Sequence, residues 1–302
     1  MSPATPATER AFELGEGPLW DGPRSRLLWV DIVAGLVCEG RLDGARIAVT
    51  GSRRLGEMVG AVVPARDGGL LVAGQERLAL LGDDGSRRDG PRVVPTGSGR
   101  RCNDGATDPA GRFLIGTLAL AGGSDREVLV RLERDGRLTT LDDDLTLSNG
   151  LAWSTDGERL FSVDSERHTV WVRAYDPESG AIGPRAVHLE LGALTPDGIA
   201  VDVDDHLWVA LWGAGEVRRF APDASVVATI TVAAPHVSSV AFAGPDLRTL
   251  VITTARDGLD AQQLAAHPDS GRIFCAPVDV RGLESVAWAG ADGFAPPVAG
   301  GR

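Results

Sequence analysis

The chain has 302 residues, 43% hydrophobic and 24% charged, with 39 glycines, a composition that suits a soluble, turn-rich protein with a sizeable core. A net charge of −12 and a pI near 4.9 exclude the basic stripe that nucleic acid requires. Every basic side chain is an arginine, which excludes Schiff-base and lysine-nucleophile chemistry.

The N-terminal MSPATPATER has neither a basic start nor an apolar core, and no apolar run reaches membrane-spanning length. Cys38, Cys102 and Cys275 are scattered without CxxC spacing, which predicts no disulfide framework and no zinc knuckle. A cytoplasmic protein with no membrane contact is the expectation.

From Gly17 onward one pattern returns six times: a small-residue step, a short apolar strand, an Asp/Gly turn and a second strand rich in Trp, Phe or Leu. The copies are GPLWDGPRSRLLWVD, GAVVPARDGGLLVAG, GATDPAGRFLIGT, GLAWSTDGERLFSVD, GIAVDVDDHLWVALW and SVAFAGPDLRTLVITT. They start at Gly17, Gly60, Gly105, Gly150, Gly198 and Ser239, spaced 43, 45, 45, 48 and 41 residues apart. Each runs on into a third alternating strand, such as LVCEGRLDG or VLVRLERDG, and leaves room for a fourth. Such repeats of about 40–45 residues are the mark of propeller blades, which bury their faces only against neighbours. The predicted fold is therefore all-β: a single domain over 1–302, a six-bladed β-propeller with four-stranded antiparallel blades. No stretch sustains helical periodicity. The Gly/Pro-rich tail from Ala289 is expected to supply a closing strand and a frayed end.

In a propeller the residue before each innermost strand sits at the channel mouth. Those positions are Glu16, Val59, Asp104, Asn149, Asp197 and Ser238. Three carboxylates and an amide brought to one axis repel unless a cation neutralises them, so the repeat register predicts a metal site. Aspartate and asparagine also serve turns before glycine; Glu16 is not a turn-former. Oxygen donors favour Ca²⁺, Mg²⁺ or Mn²⁺, and Zn²⁺ and Fe²⁺ also accept carboxylates. None of His168, His188, His206, His236 and His267 falls at an entrance, which argues against a three-histidine zinc centre and places them at the surface or in packing.

At these residues the sequence resembles the gluconolactonase/regucalcin (senescence marker protein) family. The likeness runs through LGEGPLW (14–20), WVDI (29–32), RCNDGATDPAGRFLIGTLA (101–119), SNGLAWSTDGERLFSVDS (148–165), PDGIAVDVDDHLWVALW (196–212) and ARDGLD (255–260). It implies one divalent metal on Glu16, Asn149 and Asp197, with Arg101 and Asn103 facing substrate hydroxyls. It further implies hydrolysis of a sugar lactone, an aldono-1,4- or 1,5-lactone, to the hydroxy acid. Asp197 is then the expected base and Asp104 the second candidate. Where regucalcin-like members carry an acidic contact for the sugar, this chain has Leu120, in a short Gly-rich segment, which predicts a less polar pocket.

Two other readings use the same scaffold: a metal-dependent phosphotriesterase or arylesterase, and a non-enzymatic calcium-binding propeller. A condensing propeller of the alkaloid type needs a Glu base in blade 6, where the chain has Ser238 and Ser239. The expected partner is a small-molecule lactone, with the chain a monomer or small homo-oligomer.

Overall fold

A computed structural model describes residues 1–294. It contains six four-stranded antiparallel sheets arranged in a ring, the predicted six-bladed propeller. Their inner strands are Gly15–Asp21, Val59–Pro64, Arg100–Thr107, Ser148–Trp153, Thr195–Val201 and Val237–Ala243, in blades 1 to 6. No helix among the described residues is long and apolar enough to cross a membrane.

Large side chains fill the wedges between adjacent blades, where a single sheet could not bury both faces. Trp208 of blade 5 meets Phe242 of blade 6 edge-on at 5.8 Å, and Phe12 meets Trp29 of blade 1 at 5.5 Å. Trp29, Trp208 and Phe113 are fully buried. Cys38, Cys102 and Cys275 are also buried, and unpaired.

The small-residue step has a steric cause. A Cβ at Gly60 would stand 2.3 Å from the Asn103 carbonyl oxygen, and one at Gly150 would stand 2.5 Å from that of Asp197. Inner strands of neighbouring blades approach so closely there that only glycine fits.

One expectation about the chain ends is revised. The ring is closed by the N-terminus: Thr5–Pro6 pairs with Phe274–Pro277 as the outermost strand of blade 6. Flanking backbone bonds lace that strand to both neighbours, from Ala4 N to Thr231 O at 2.9 Å and from Ile47 N to Ala7 O at 2.9 Å. The segment before and into the tail instead runs across the far end of the ring. Val203 N donates to Arg281 O, Arg66 N to Trp288 O and Ala289 N to Gly111 O. Residues 295–302 lie outside the described residues. Among the described residues one short α-helix, Ala261–Ala266, and a single 3-10 turn, Gly22–Arg24, interrupt the strands; Asp260 and Gln263 form the capping box of the α-helix.

Candidate functional site

The entrance residues do not lie on loops before the inner strands. They lie in the strands, at a break in register that recurs in all six blades: Glu16/Leu19, Val59/Ala61, Cys102/Gly105, Asn149/Leu151, Pro196/Ile199 and Val237/Ser239. A bulge is a common device for re-aiming a side chain at a functional site. Here the result is convergence. Glu16, Asp104 and Asp197, from blades 1, 3 and 5, feel one another electrostatically across the channel.

Glu16, Asn149 and Asp197 are only 5–6% exposed, and Asp104 is half-buried. Burial, then the Asp104 charge, lifts the Glu16 carboxyl to about 8. Burial alone lifts Asp104 to about 6, against the amide of Gly105. Asp197 is raised well above the carboxylate range, by burial first and then by Glu16 and Asp104. The nearby cation is Arg101, itself brought down to about 10 by burial and supported by Glu16 and Asp197. Glu16, Asp104 and Asp197, with Asp257 also acting on Arg101, outnumber the one guanidinium, so the cluster when ionised carries an excess of negative charge that a divalent cation would balance.

Asp197 Oδ1 is buried with no hydrogen-bond partner, although a buried carboxylate oxygen ordinarily has one. An unpartnered oxygen, a second buried carboxylate and an amide oxygen form a hard-donor set that fits a divalent cation.

Asn149 is oriented from one side by Ser165, whose Oγ accepts from Asn149 Nδ2 at 3.1 Å and donates to Pro196 O at 2.7 Å. This hydroxyl ties the Asn149 amide to the residue next to Asp197, joining blade 4 to blade 5. Asn103 Nδ2 donates to Ser148 O at 2.9 Å and to Asn149 Oδ1 at 3.2 Å, while its Oδ1 accepts from Arg101 Nη1 at 2.7 Å. The structure thus brings Arg101 and Asn103 together beside the acidic cluster, with most of Asn103's capacity committed to protein partners.

Other supports went unread in the sequence. Asp31 accepts from Glu13 N at 3.0 Å and Leu14 N at 3.2 Å, fixing the approach to Glu16. Asp164 does the same for Thr146 and Leu147 ahead of Asn149. Both close a Val-Asp strand end, WVD and SVD, a recurrence that could have flagged them. Leu120 follows the strand Phe113–Ala119, two residues beyond the Arg101–Leu118 pair, and is 48% exposed.

Below the carboxylates the channel holds a cavity of about 400 Å³, bordered by Asp104, Trp20, Trp153 and Phe242 and crossed by Leu283–Val286. A separate acidic group, Asp202, Asp204 and His206, lies at the turn after Thr195–Val201. Asp202 already accepts four hydrogen bonds, from Asp204 N, His206 N, Trp208 Nε1 and Arg219 Nε, so it pins that turn.

Residues 14–256 match the SMP-30/gluconolactonase/LRE-like region. The chain is 36% identical over 258 residues to a pentonolactonase of Haloferax volcanii, covering 83% of this chain and 84% of that one. It is 34% identical over 281 residues to a 6-deoxy-6-sulfogluconolactonase of Pseudomonas putida, covering 92% and 95%. The crystal structure of regucalcin, a calcium-binding protein from Agrobacterium tumefaciens, superposes with a TM-score of 0.86 at 26% identity, over 95% of this chain and 98% of that one. The chain belongs to the SMP-30/gluconolactonase/LRE-like family.

Proposed function

We propose that this protein is a metal-dependent lactonase, a hydrolase that opens a sugar lactone to its hydroxy acid. The observation that carries the reading is the buried, unpartnered oxygen of Asp197 within a cluster whose carboxylates outnumber its one nearby cation, in a chain whose relatives include named lactonases. Glu16, Asn149 and Asp197 are the residues that would hold the metal, through their side-chain oxygens. A bound divalent cation would polarise the lactone carbonyl and stabilise the charge that develops on its oxygen.

The chain's own groups supply the rest. Asp197 takes a proton from water as the water oxygen adds to the carbonyl carbon. That proton goes to the ring oxygen as its bond to the carbonyl carbon breaks, which leaves a carboxylic acid and a hydroxyl. Arg101 donates to substrate oxygens at the mouth. Asn103 acts mainly by holding Arg101 and the Asn149 amide in place, since its amide hydrogens are already given to Ser148 and Asn149. Asp104 lies beside the channel cavity and contributes charge.

The test is a panel of aldonolactones, aliphatic lactones and phosphotriesters, run after reconstitution with Ca²⁺, Mg²⁺, Mn²⁺, Zn²⁺ or Fe²⁺ and again with chelator. Opening of an aldonolactone that chelator abolishes is the expected result. Turnover of phosphotriesters alone, or metal binding with no turnover, overturns the reading.

A further inference from the structure

One aromatic pair at the mouth has no part in the chemistry above. Trp212 and His236, from blade 5 and the approach to blade 6, stack face to face, with centroids 4.1 Å apart and planes at 18°. Trp212 lies opposite Thr195 across its hairpin, and Thr195 is two residues before Asp197. His236 is two residues before Ser238, whose Oγ donates to the Gly15 carbonyl beside Glu16 at 2.6 Å. At a rise of about 3.3 Å per residue, the backbone of Thr195, level with Trp212, and that of His236 lie about 7 Å from Asp197 and Ser238 toward the entry side. That is about one sugar ring away.

One nitrogen of the His236 ring is committed and the other is free to accept. His236 Nδ1 lies 2.9 Å from the Asp257 carbonyl oxygen, and because a carbonyl only accepts, Nδ1 carries the hydrogen. Burial lowers the imidazole's pKa, so the ring is neutral near pH 7 and Nε2 is an acceptor. Among the described residues no side chain or amide donates to Nε2. The Asp257 side chain in turn supports the Arg101 charge. Trp212 packs on the cluster containing Leu14, Ile32 and Ala255, yet both rings stay partly exposed. In a six-membered ring of blades, blade 3 faces blade 6, so exposed Leu120 stands across the mouth from the stack.

We propose that the Trp212–His236 pair is the specificity-determining wall of the substrate mouth. The indole packs against the C–H face of the lactone ring, and His236 Nε2 accepts a hydrogen bond from a ring hydroxyl. The substrate class is then a lactone with an apolar face and at least one hydroxyl directed at His236. This rests on the lactonase reading.

The test uses binding as well as turnover. Two unhydrolysable lactams, an aldonolactam and unsubstituted valerolactam, are titrated calorimetrically into wild type, His236→Phe and Trp212→Leu. His236→Phe keeps a stacked ring but no acceptor. It is expected to weaken the aldonolactam about five- to tenfold, in line with one lost hydrogen bond, and to leave valerolactam unchanged. Trp212→Leu is expected to weaken both. His236→Leu carries the same comparison if His236→Phe does not melt cooperatively. Equal effects of His236→Phe on the two lactams, no effect on either, or no lactam binding by wild type overturns the proposal. If wild type binds the aldonolactam but opens no lactone with any metal, the hydrolase reading falls and the wall stands. Normal lactone opening with an indifferent His236→Phe removes the wall and leaves the hydrolase standing.

Discussion

Asp197→Asn separates the metal role of this residue from its proton role and, from the same charge argument, should make the metal-free protein more stable. The amide keeps an oxygen that can coordinate, but it loses the negative charge and the proton acceptor. Asp197 is raised well above the carboxylate range by burial and by the charges of Glu16 and Asp104. Each such repulsion is worth on the order of 1–3 kcal/mol at an effective dielectric constant near 20. Relaxation of the cluster and screening within it reduce the relief, which leaves a net gain of about 1–3 kcal/mol. For a domain of this size that is an increase in Tm of roughly 2–6 °C in chelator. Turnover should move the other way, by about 10²–10⁴-fold, the usual cost of a lost general base, and saturating metal should not restore it. The assays are scanning calorimetry in chelator and lactone opening across a metal titration. Recovery of turnover at high metal would make Asp197 a ligand only and pass the base role to Asp104, with Asp104→Asn as the dead variant. A lower Tm for Asp197→Asn would refute the picture of mutually repelling buried carboxylates.

Ser165→Ala should lower metal affinity about 10–100-fold by calorimetric titration while melting stays cooperative, because the hydroxyl ties the Asn149 amide to the Pro196 carbonyl. Asn149→Ala should weaken metal binding further, through loss of a neutral oxygen donor, with unfolding still cooperative; loss of folding would assign Asn149 to a turn role instead. Leu120→Glu should raise the ratio of aldonolactone to aliphatic-lactone turnover, and an unchanged ratio would place the side chain beyond the substrate's reach. Deleting residues 2–8 should cost roughly 3–5 kcal/mol and several degrees of Tm, since it removes the strand that closes the ring and its bonds to blades 5 and 1. Burial pushes the three cysteine thiols up to about 12, so a thiol reagent at pH 8 should label none of them in the folded protein and all of them in denaturant.

What could be read from the sequence was whatever repeats. The glycine step, the Asp/Gly turn and the spacing between copies come from one structural unit used six times, so six blades and the six entrance positions were visible without coordinates. The bulges went unread although the recurring glycine falls at or within five of the six, because a strand glycine equally signals a turn and only the pairing with the next strand shows the shift in register. That is why the strands start one to five residues earlier than the repeat register suggested, as at Arg100 against Gly105. The closing strand escaped for a different reason. Thr5–Pro6 is two residues long and contains a proline, too short for any alternation, whereas the tail from Ala289 had only its position to recommend it.

The site divides along the same line. The repeat register placed Glu16, Asp104, Asn149 and Asp197 at entrances alike, because each blade presents that residue at a fixed place, while the choice of Glu16, Asn149 and Asp197 as a ligand set came with the family resemblance. What fixes them runs between elements far apart in sequence: Ser165 joins Asn149 to Pro196, Asn103 joins Arg101 to Asn149, and Ser238 joins blade 6 to Gly15. His236 shows the limit most clearly. In APHVSS it has no periodic partner and reads as a packing residue; it becomes a directed acceptor only because Trp212 covers one ring face and the Asp257 carbonyl fixes its tautomer. Repetition therefore exposes the groups that converge on the axis, while the contacts proposed to set the selectivity of the mouth each occur once. Relatives sharing Glu16, Asn149 and Asp197 but differing around Leu120, Trp212 and His236 should accordingly keep the reaction and change the lactone.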